Sequence, residues 1–414
     1  MITPDFKPWR LLHTSDWHLG RPLYGRRRYG EYAAFLDWLA ETVAREEVDV
    51  LAVAGDIFDS PSPAPRAQAL YYRFLARLAG GSRRVRVLVI AGNHDSPALL
   101  EAPGDLLAAL DIHVAGAISQ NGRLTTLRDE AGTPRLLAAL TPYPRERDLR
   151  ESEPGESLED KEGKFLKALA GHYRRLGALA GAAPAGPEGG RMPKVVLGHL
   201  FAAGGQTVDG DGVRPLYVGG LGCVPAEIFP KIFDYVALGH LHQPQMVGGR
   251  ACLRYSGAPL RLGFGEPERS KSVTLVDFRP EGPAVKTLDV PVFQVLRRLE
   301  GDRPALMTGL AALGRESPGA WVEAAYTGAE VMGDLRESLT RLAEEAGLEL
   351  LRLLDVPRRA AWLAHRVPDE DLAALEPDEV FRRRLEAAGV PMPDRAGLWA
   401  AYGEIRASLA EGTE

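Results

Sequence analysis

Cysteine is nearly absent from this chain, and that sets its first limits. Cys223 and Cys252 are the only two in 414 residues, too few for a disulfide framework or a thiolate metal site. Any metal ion must then be held by His, Asp, Glu or Asn. No run approaches 18 consecutive apolar residues, and Met1 to Arg10 lacks the apolar stretch of a signal peptide, so the sequence predicts a cytoplasmic protein without membrane association. An excess of positive charge is missing too. The net charge of −6 argues against coating nucleic acid by bulk charge, although local basic surfaces remain open. Lysine is scarce beside arginine, a bias that suits phosphate contacts but that a GC-rich coding sequence would give equally. With 45% hydrophobic and 26% charged residues, wholesale disorder is excluded, and the length allows two or three domains.

What is present begins with a pattern repeated three times in the first hundred residues. Apolar, β-branched runs at Leu11–Ser15, Val48–Ala54 and Val85–Ala91 each end in a polar cluster. Helical patterns follow at Tyr29–Glu46, Ala64–Ala79 and Pro97–Leu110. Such alternation reads as an α/β fold whose sheet is buried on both faces, with ligands collecting at the carboxyl ends of the strands. Shorter strands follow, at Leu124–Leu127, Leu136–Leu140, Lys194–Leu197, Tyr235–Leu238, Leu253–Ser256 and Ser272–Phe278. Acidic Glu146–Glu162 reads as an exposed loop before a helix near Phe165–Leu179, and Ala182–Gly190 as a flexible connector. Pro280–Pro283 reads as a boundary; beyond it, Leu296–Leu313 and Asp334–Ala346 read as helices, with Trp321–Tyr326 and Leu348–Leu354 as strands.

Five short motifs stand at strand ends: SDWHLG (Ser15–Gly20), GDIFD (Gly55–Asp59), GNHDS (Gly92–Ser96), GHL (Gly198–Leu200) and GHLH (Gly239–His242). They hold five of the nine histidines. Asp16/His18 and His240/His242 have i, i+2 spacing, which in extended chain points both side chains one way. Two carboxylates, four imidazoles and an amide oxygen suit two divalent first-row metals better than an all-oxygen magnesium or calcium site. A carboxylate, with two oxygens to share, is the natural bridge between such ions, and Asp56 on the second strand is the candidate.

The five motifs in this order resemble the calcineurin-like metallophosphoesterase superfamily. With YSGAPLRLGFGE (Tyr255–Glu266), SKSVTLVDF and the appended α/β unit, the resemblance narrows to the SbcD family, the nuclease subunits of bacterial SbcC–SbcD double-strand-break repair complexes. It runs from about residue 10 to 355, and more loosely to the end. The resemblance implies a four-layer metallophosphoesterase sandwich, a small α/β capping domain and a C-terminal helical tail, at residues 1–280, 284–356 and 366–414. It implies one metal on Asp16, His18, Asp56 and His242, and a second on Asp56, Asn93, His199 and His240. His94 would be the catalytic histidine, oriented by Asp59. The two ions, expected to be Mn2+, would serve a 3′ to 5′ exonuclease on duplex ends and an endonuclease on single strands and hairpins, in DNA double-strand-break repair. The implied partners are DNA, an SbcC-type ATPase docked on the tail, and a second copy of the chain through helices such as Ala67–Leu78 and Pro97–Leu110. Two rivals stand beside this reading: a phosphatase or nucleotide phosphodiesterase of the same superfamily, and a DNA-end scaffold.

Other signals are weaker. Arg26–Arg28 follow the first ligand pair and could touch DNA phosphates, whereas Arg83, Arg84 and Arg86 read as structural. Tyr143 and Arg145 follow a strand near the groove without a role of their own. His13, His113, His172 and His365 read as packing or surface residues. Leu398, Tyr402, Ile405 and Leu409, with Leu372, Leu375, Phe381 and Leu385, form apolar stripes suited to a helix-in-groove partner.

Overall fold

The computed structural model describes residues 8–119, 122–150, 156–184, 186, 191–203, 224–266, 270–328, 333–356, 377–387 and 395–403. The chain divides into two compact units, Met1–Arg297 and Arg298–Glu414.

The first unit is built on two six-stranded sheets. In one, β1 (Arg10–Thr14), β2 (Val50–Ala54), β3 (Arg86–Ile90) and β4 (Ile112–Ala115) run parallel, and β11 (Lys271–Arg279) and β12 (Gly282–Val290) close the edge antiparallel, in the order β12-β11-β1-β2-β3-β4. The other has the order β5-β6-β7-β8-β10-β9, from β5 (Leu124–Arg128), β6 (Pro134–Thr141), β7 (Lys194–His199), β8 (Tyr235–Gly239), β9 (Gln245–Val247) and β10 (Arg250–Tyr255).

The side-chain period of two sorts each strand into two layers. Val50, Ala52 and Ala54 of β2 and Leu88 and Ile90 of β3 meet Val195 and Leu197 of β7 and Tyr235 and Ala237 of β8 in a core between the sheets. The alternate residues Leu51, Val53, Val87 and Val89 pack outward under α1 (Tyr29–Arg45) and α2 (Pro65–Ala79). Val196 and Val236 pack outward under α6 (Leu158–Ala182). The result is helix, sheet, sheet, helix: the expected four-layer sandwich. Strands buried on both faces need apolar residues at every position, which is why these runs are nearly continuous in the sequence.

Several boundaries differ from the sequence reading. The Pro97–Leu110 helix is two helices, α3 (Pro97–Glu101) and α4 (Gly104–Ala109), because Pro103 cannot continue the first. The acidic Glu146–Glu162 segment is not one loop. A helical turn, α5, spans Glu146–Leu149, and α6 starts at Leu158, where the Ser157 hydroxyl caps Asp160 N at 3.1 Å and Glu159 and Asp160 favour the first turn. Pro280–Pro283 falls in a hairpin turn, since β12 pairs with β11 over nine residues, and the compact unit continues to Arg297.

Residues 296–301, which begin in the last two residues of the first unit and continue into the second, form strand β13 (Leu296–Gly301) where a helix was expected. Asp302 then caps α7 (Arg303–Glu316), accepting from Ala305 N at 3.0 Å, and Pro304 sits in the first turn, so the helix starts there. With β14 (Trp321–Tyr326), α8 (Leu335–Glu345) and β15 (Glu349–Asp355), this gives a three-stranded sheet carrying two helices. Residues 357–376 are outside the described ones. Beyond them, α9 (Pro377–Ala387) presents Phe381 to a helical segment at 395–403; Phe381 stacks on Tyr402 with ring centroids 4.0 Å apart and meets Trp399 edge-on at 5.0 Å. Ile405, Leu409, Leu372, Leu375, His365 and Cys223 lie outside the described residues.

Candidate metal centre

Each motif begins where a strand ends, and the backbone turns hard there. Asp16, His18, Asp56 and His240 take left-handed φ of 54°, 47°, 51° and 104°. Such non-glycine conformations cost about 1 kcal/mol or more each and persist only where surroundings impose them. Here two loops brace each other: Asp16 N donates to Gly55 O at 2.9 Å and His18 N to Asp56 O at 3.0 Å. Two glycines are required by close approach. A Cβ on Gly92 would lie 2.0 Å from Asp56 Oδ1, and one on Gly239 would lie 1.9 Å from Ala54 O.

All seven predicted ligands come together at the strand ends of both sheets. Asp56 Oδ2 faces His18 Nε2 at 3.6 Å and His199 Nε2 at 3.4 Å. Asn93 Oδ1 lies 3.1 Å from His199 Nε2 and 3.0 Å from His240 Nδ1. His18 Nε2 and His242 Nε2 are 3.2 Å apart. Asp16 accepts the His240 amide at 3.0 and 3.2 Å and the Ser15 hydroxyl. Donor atoms of Asp16, His18 and His242 lie within 4.8 Å of one another, as do those of Asp16, Asp56 and His199. The bridging argument needs one correction. Asp56 Oδ1 is taken by the His94 amide at 2.9 Å, so a single oxygen, Oδ2, faces histidines from both sheets.

The electrostatics describe a cluster that wants cations. Burial pushes the Asp16 carboxyl up to about 7. Burial would raise Asp56 as well, but His199, then His18 and His94, hold it well below the usual carboxylate range. Burial disfavours charge on His199, yet the Asp56 carboxylate outweighs it and lifts the imidazole to about 9. His240, where burial prevails, is lowered to about 3. A proton on His199 thus neutralises Asp56, as a divalent cation among the same atoms would. His199 Nδ1 donates to the Ala54 carbonyl at 2.8 Å, so the proton shared with Asp56 and Asn93 is on Nε2, the nitrogen that would offer its lone pair to a metal once that proton leaves. Buried nitrogens and carboxylate oxygens pointing at one another fit divalent metal ions.

His94 and Asp59 are adjacent, but their contact differs from the expected one. His94 Nδ1 bonds the main-chain carbonyl of Asp59 at 2.8 Å. The Asp59 carboxylate instead lies 3.4 Å from His18 Nδ1 and 3.6 Å from Arg21. A carbonyl only accepts, so it fixes the His94 tautomer as a carboxylate would, with the proton on Nδ1. Arg83 and Arg84 pair with Asp49 and Asp111, and Arg86 lies over Trp9 with its guanidinium carbon 5.0 Å from the ring centroid, as structural residues. Arg28 is buried against Glu31 at 2.7 Å, which removes it from the candidate DNA contacts.

Sequence reasoning missed the residues that grip main chain. Asp95 is buried and accepts from Gly92 N, Phe58 N and Ile57 N at 2.8, 2.9 and 3.1 Å, tying two motif loops together. Its signal was there, the acid that completes GNHD. Lys271 donates to the His242 carbonyl at 3.1 Å and pairs with buried Glu266, so YSGAPLRLGFGE and SKS brace the GHLH loop.

A fold of two facing sheets with a carboxylate–imidazole–amide cluster at their common strand ends defines a metallophosphoesterase. The family model for calcineurin-like phosphoesterases matches residues 10–244, and the one described as "Type 5 capsule protein repressor C-terminal domain" matches 292–388. The SbcD chain of the SbcCD nuclease of Escherichia coli K12 is 36% identical over 387 residues, covering 91% of this chain and 92% of that protein. Those of Rhodobacter capsulatus and Bacillus subtilis are 36% and 38% identical, over 90% and 66% of this chain and 93% and 66% of theirs. Solved structures of TT1561 from Thermus thermophilus and a dimetal phosphatase from Danio rerio align at TM-scores of 0.34 and 0.36, too low to carry any argument. The chain belongs to the calcineurin-like phosphoesterases and, within them, to the SbcD family of nuclease subunits. It is a phosphodiester hydrolase with a divalent-metal centre. No helix among the described residues is long and apolar enough to cross a membrane.

Proposed function

We propose that this chain cleaves DNA with two Mn2+ ions, one held by Asp16, His18, Asp56 and His242, the other by Asp56, Asn93, His199 and His240. The observation that carries this is Asp56 Oδ2, buried and facing a histidine from each sheet, as a shared ligand requires. Bound there, the ions would supply a water acidic enough to attack at neutral pH and would draw charge from the phosphate oxygens. The chain's own residues do the rest. His199 and His240 hold Asn93 Oδ1 between them, and the Asp59 carbonyl fixes the His94 ring. With Nδ1–H kept on that carbonyl, His94 acts through Nε2: as an imidazolium it gives the Nε2 proton to the leaving oxygen or stabilises the charge on the phosphate. Asp59 places its carboxylate on His18 and so orients a ligand rather than the catalytic histidine.

The reading extends to 3′ to 5′ exonuclease action on duplex ends, endonuclease action on single strands and hairpins, and cytoplasmic work beside an SbcC-type ATPase. The relatives' names, as subunits of SbcCD, support the partner. The aromatic cluster of Phe381, Trp399 and Tyr402 supports a docking role for the tail. A homodimer through α2, α3 and α4, and a capping role for the sheet of β13 to β15, belong to the same proposal.

The test is a manganese assay on end-labelled duplex DNA, with a chromogenic phosphomonoester in parallel and His94→Ala as control. DNA degradation lost in the variant, with the monoester untouched, is the expected result. Monoester turnover with intact DNA would replace the nuclease with a phosphatase.

A further inference from the structure

Arg145 stands out as a cation beside a site built for cations. It follows β6 on the segment leading to α5, and its Nη2 donates to Gly92 O at 3.3 Å and Asp95 O at 3.0 Å. Those carbonyls flank Asn93 and His94, so the guanidinium lies against the loop that carries them. Its carbon sits 5.9 Å from the ring centroid of Tyr143, and that ring lies 6.2 and 6.3 Å from the rings of His199 and His240. The side chain is therefore part of the wall of the metal centre.

Two features are unusual for a structural arginine. Its Nη1 is buried and makes no hydrogen bond. Among the described residues, no carboxylate lies within ion-pairing distance of the guanidinium; Asp148, three residues on, is 3.7 Å from Arg147. A partly buried, unpaired guanidinium is unfavourable on its own, and two divalent ions nearby would make it more so. The imbalance disappears if the missing counter-ion is the substrate. Two ions bring four positive charges against Asp16 and Asp56, and the arginine adds a fifth, leaving a field that favours an anion. A guanidinium, always charged and carrying donors in a planar fork, is the side chain best suited to a phosphate oxygen.

We propose that Arg145 binds the phosphodiester itself, the two Nη2 bonds fixing the guanidinium to the Gly92 and Asp95 carbonyls while its charge and remaining donors are turned to a non-bridging phosphate oxygen. The inference rests on the site being a phosphodiester hydrolase. Its rival is that Arg145 only clamps the Asn93–His94 loop, in which case its loss would weaken metal binding instead.

The experiment is calorimetric titration of the manganese-loaded full chain with inorganic phosphate, for the wild type, Arg145→Met and Arg145→Lys, with manganese affinity measured on the same samples. We expect Arg145→Met to bind phosphate about tenfold or more weakly, as for a lost charge-assisted hydrogen bond, with manganese affinity within about threefold of wild type. Arg145→Lys, which keeps the charge and loses the fork, falls between. Unchanged phosphate affinity in either variant overturns the proposal, as does a parallel loss of manganese binding or a wild type that takes up no phosphate. Should Arg145→Met fail to fold, Arg145→Lys decides alone, by weaker phosphate binding at constant manganese affinity. Hydrolysis of duplex DNA by the wild type is followed alongside. Its absence with an Arg145-dependent phosphate site would sink the hydrolase reading and leave the phosphate site standing.

Discussion

The two sheets contribute unlike halves to one centre. The loops after β1, β2 and β3 supply both carboxylates, the amide, the ligand imidazole of His18 and the non-ligand His94, on backbone that is left-handed at Asp16, His18 and Asp56. The loops after β7 and β8 supply imidazoles alone: His199, His240 and His242. Neither half is a site by itself. The close contacts cross between them: Asp56 to His199, His18 to His242, Asn93 to both His199 and His240, and the His240 amide to Asp16. Negative charge is thus concentrated on one sheet, and the imidazoles that face it come mostly from the other. Metal binding reports that the sandwich has closed in register, because a site split across a packed layer cannot form in either sheet alone.

The sharpest way to break this comparison is at the residue both halves share. Asp56→Asn removes the charge that faces both histidines while keeping the shape. We expect manganese stoichiometry near zero by calorimetry and nuclease activity reduced by about 10⁴-fold or more, since the ligand that both ions would share loses its negative charge. A variant that retained one tightly bound ion would show that the halves hold metals independently. Next in size is His94→Gln. His94 shares the first half's loop yet supplies no ligand in this scheme, so manganese binding is expected to survive while kcat falls by about 10²–10⁴-fold, the usual span for a lost general acid. Loss of metal from that variant would move His94 into the ligand set.

A smaller effect is expected at Asp95, which binds the GDIFD loop to the GNHD loop within the first half. Asp95→Asn keeps the volume but turns one oxygen into a donor facing the Gly92, Ile57 and Phe58 amides. Leaving a buried donor unsatisfied costs about 1–3 kcal/mol, which chemical denaturation should read directly. Because the GNHD loop carries Asn93, manganese affinity should weaken more than phosphate affinity. An unchanged midpoint would mean that the loops do not need this tie.

The sequence made one kind of information legible and hid another. Ligands such as Asp16, His18, His240 and His242 could be found because side-chain identity, spacing and position after an apolar run are written residue by residue. The sandwich could be found because strands buried on both faces leave no polar alternation. What stayed hidden depends on main-chain atoms, which have no letter. Asp59 was read for its carboxylate, but it holds His94 through its carbonyl. Asp95, Arg145 and Lys271 act on amides and carbonyls of distant loops. The boundary errors have the same root. Pro280 and Pro283 mark a turn whether the chain leaves the sheet or doubles back on it, and only the pairing of β12 with β11 decides. Leu296 to Glu300 alternates weakly, and the Asp302 cap with Pro304 was the signal that put the helix start later.

The smallest expected effect tests the layer between the two halves, away from the metals. His13 of β1 contacts Tyr235 of β8 across the sheets at 3.0 Å, and burial, with Arg254 nearby, lowers its imidazole to about 3. His172 on α6 is lowered to about 4, again by burial first. Both groups are neutral in the folded protein and take up a proton near 6.5 once unfolded. The unfolded state therefore binds more protons below that pH, and stability, full above about 6.5, is lost as pH falls toward 4 and then 3. Each group adds at most about 1.4 kcal/mol per pH unit to that slope. Denaturant midpoints of the chelator-treated protein between pH 7 and 4.5 should read the difference between wild type and His13→Asn. The variant should have the shallower slope by about that amount. Parallel slopes would mean that His13 is already protonated in the fold, and that the two sheets meet around a charge rather than a neutral hydrogen bond.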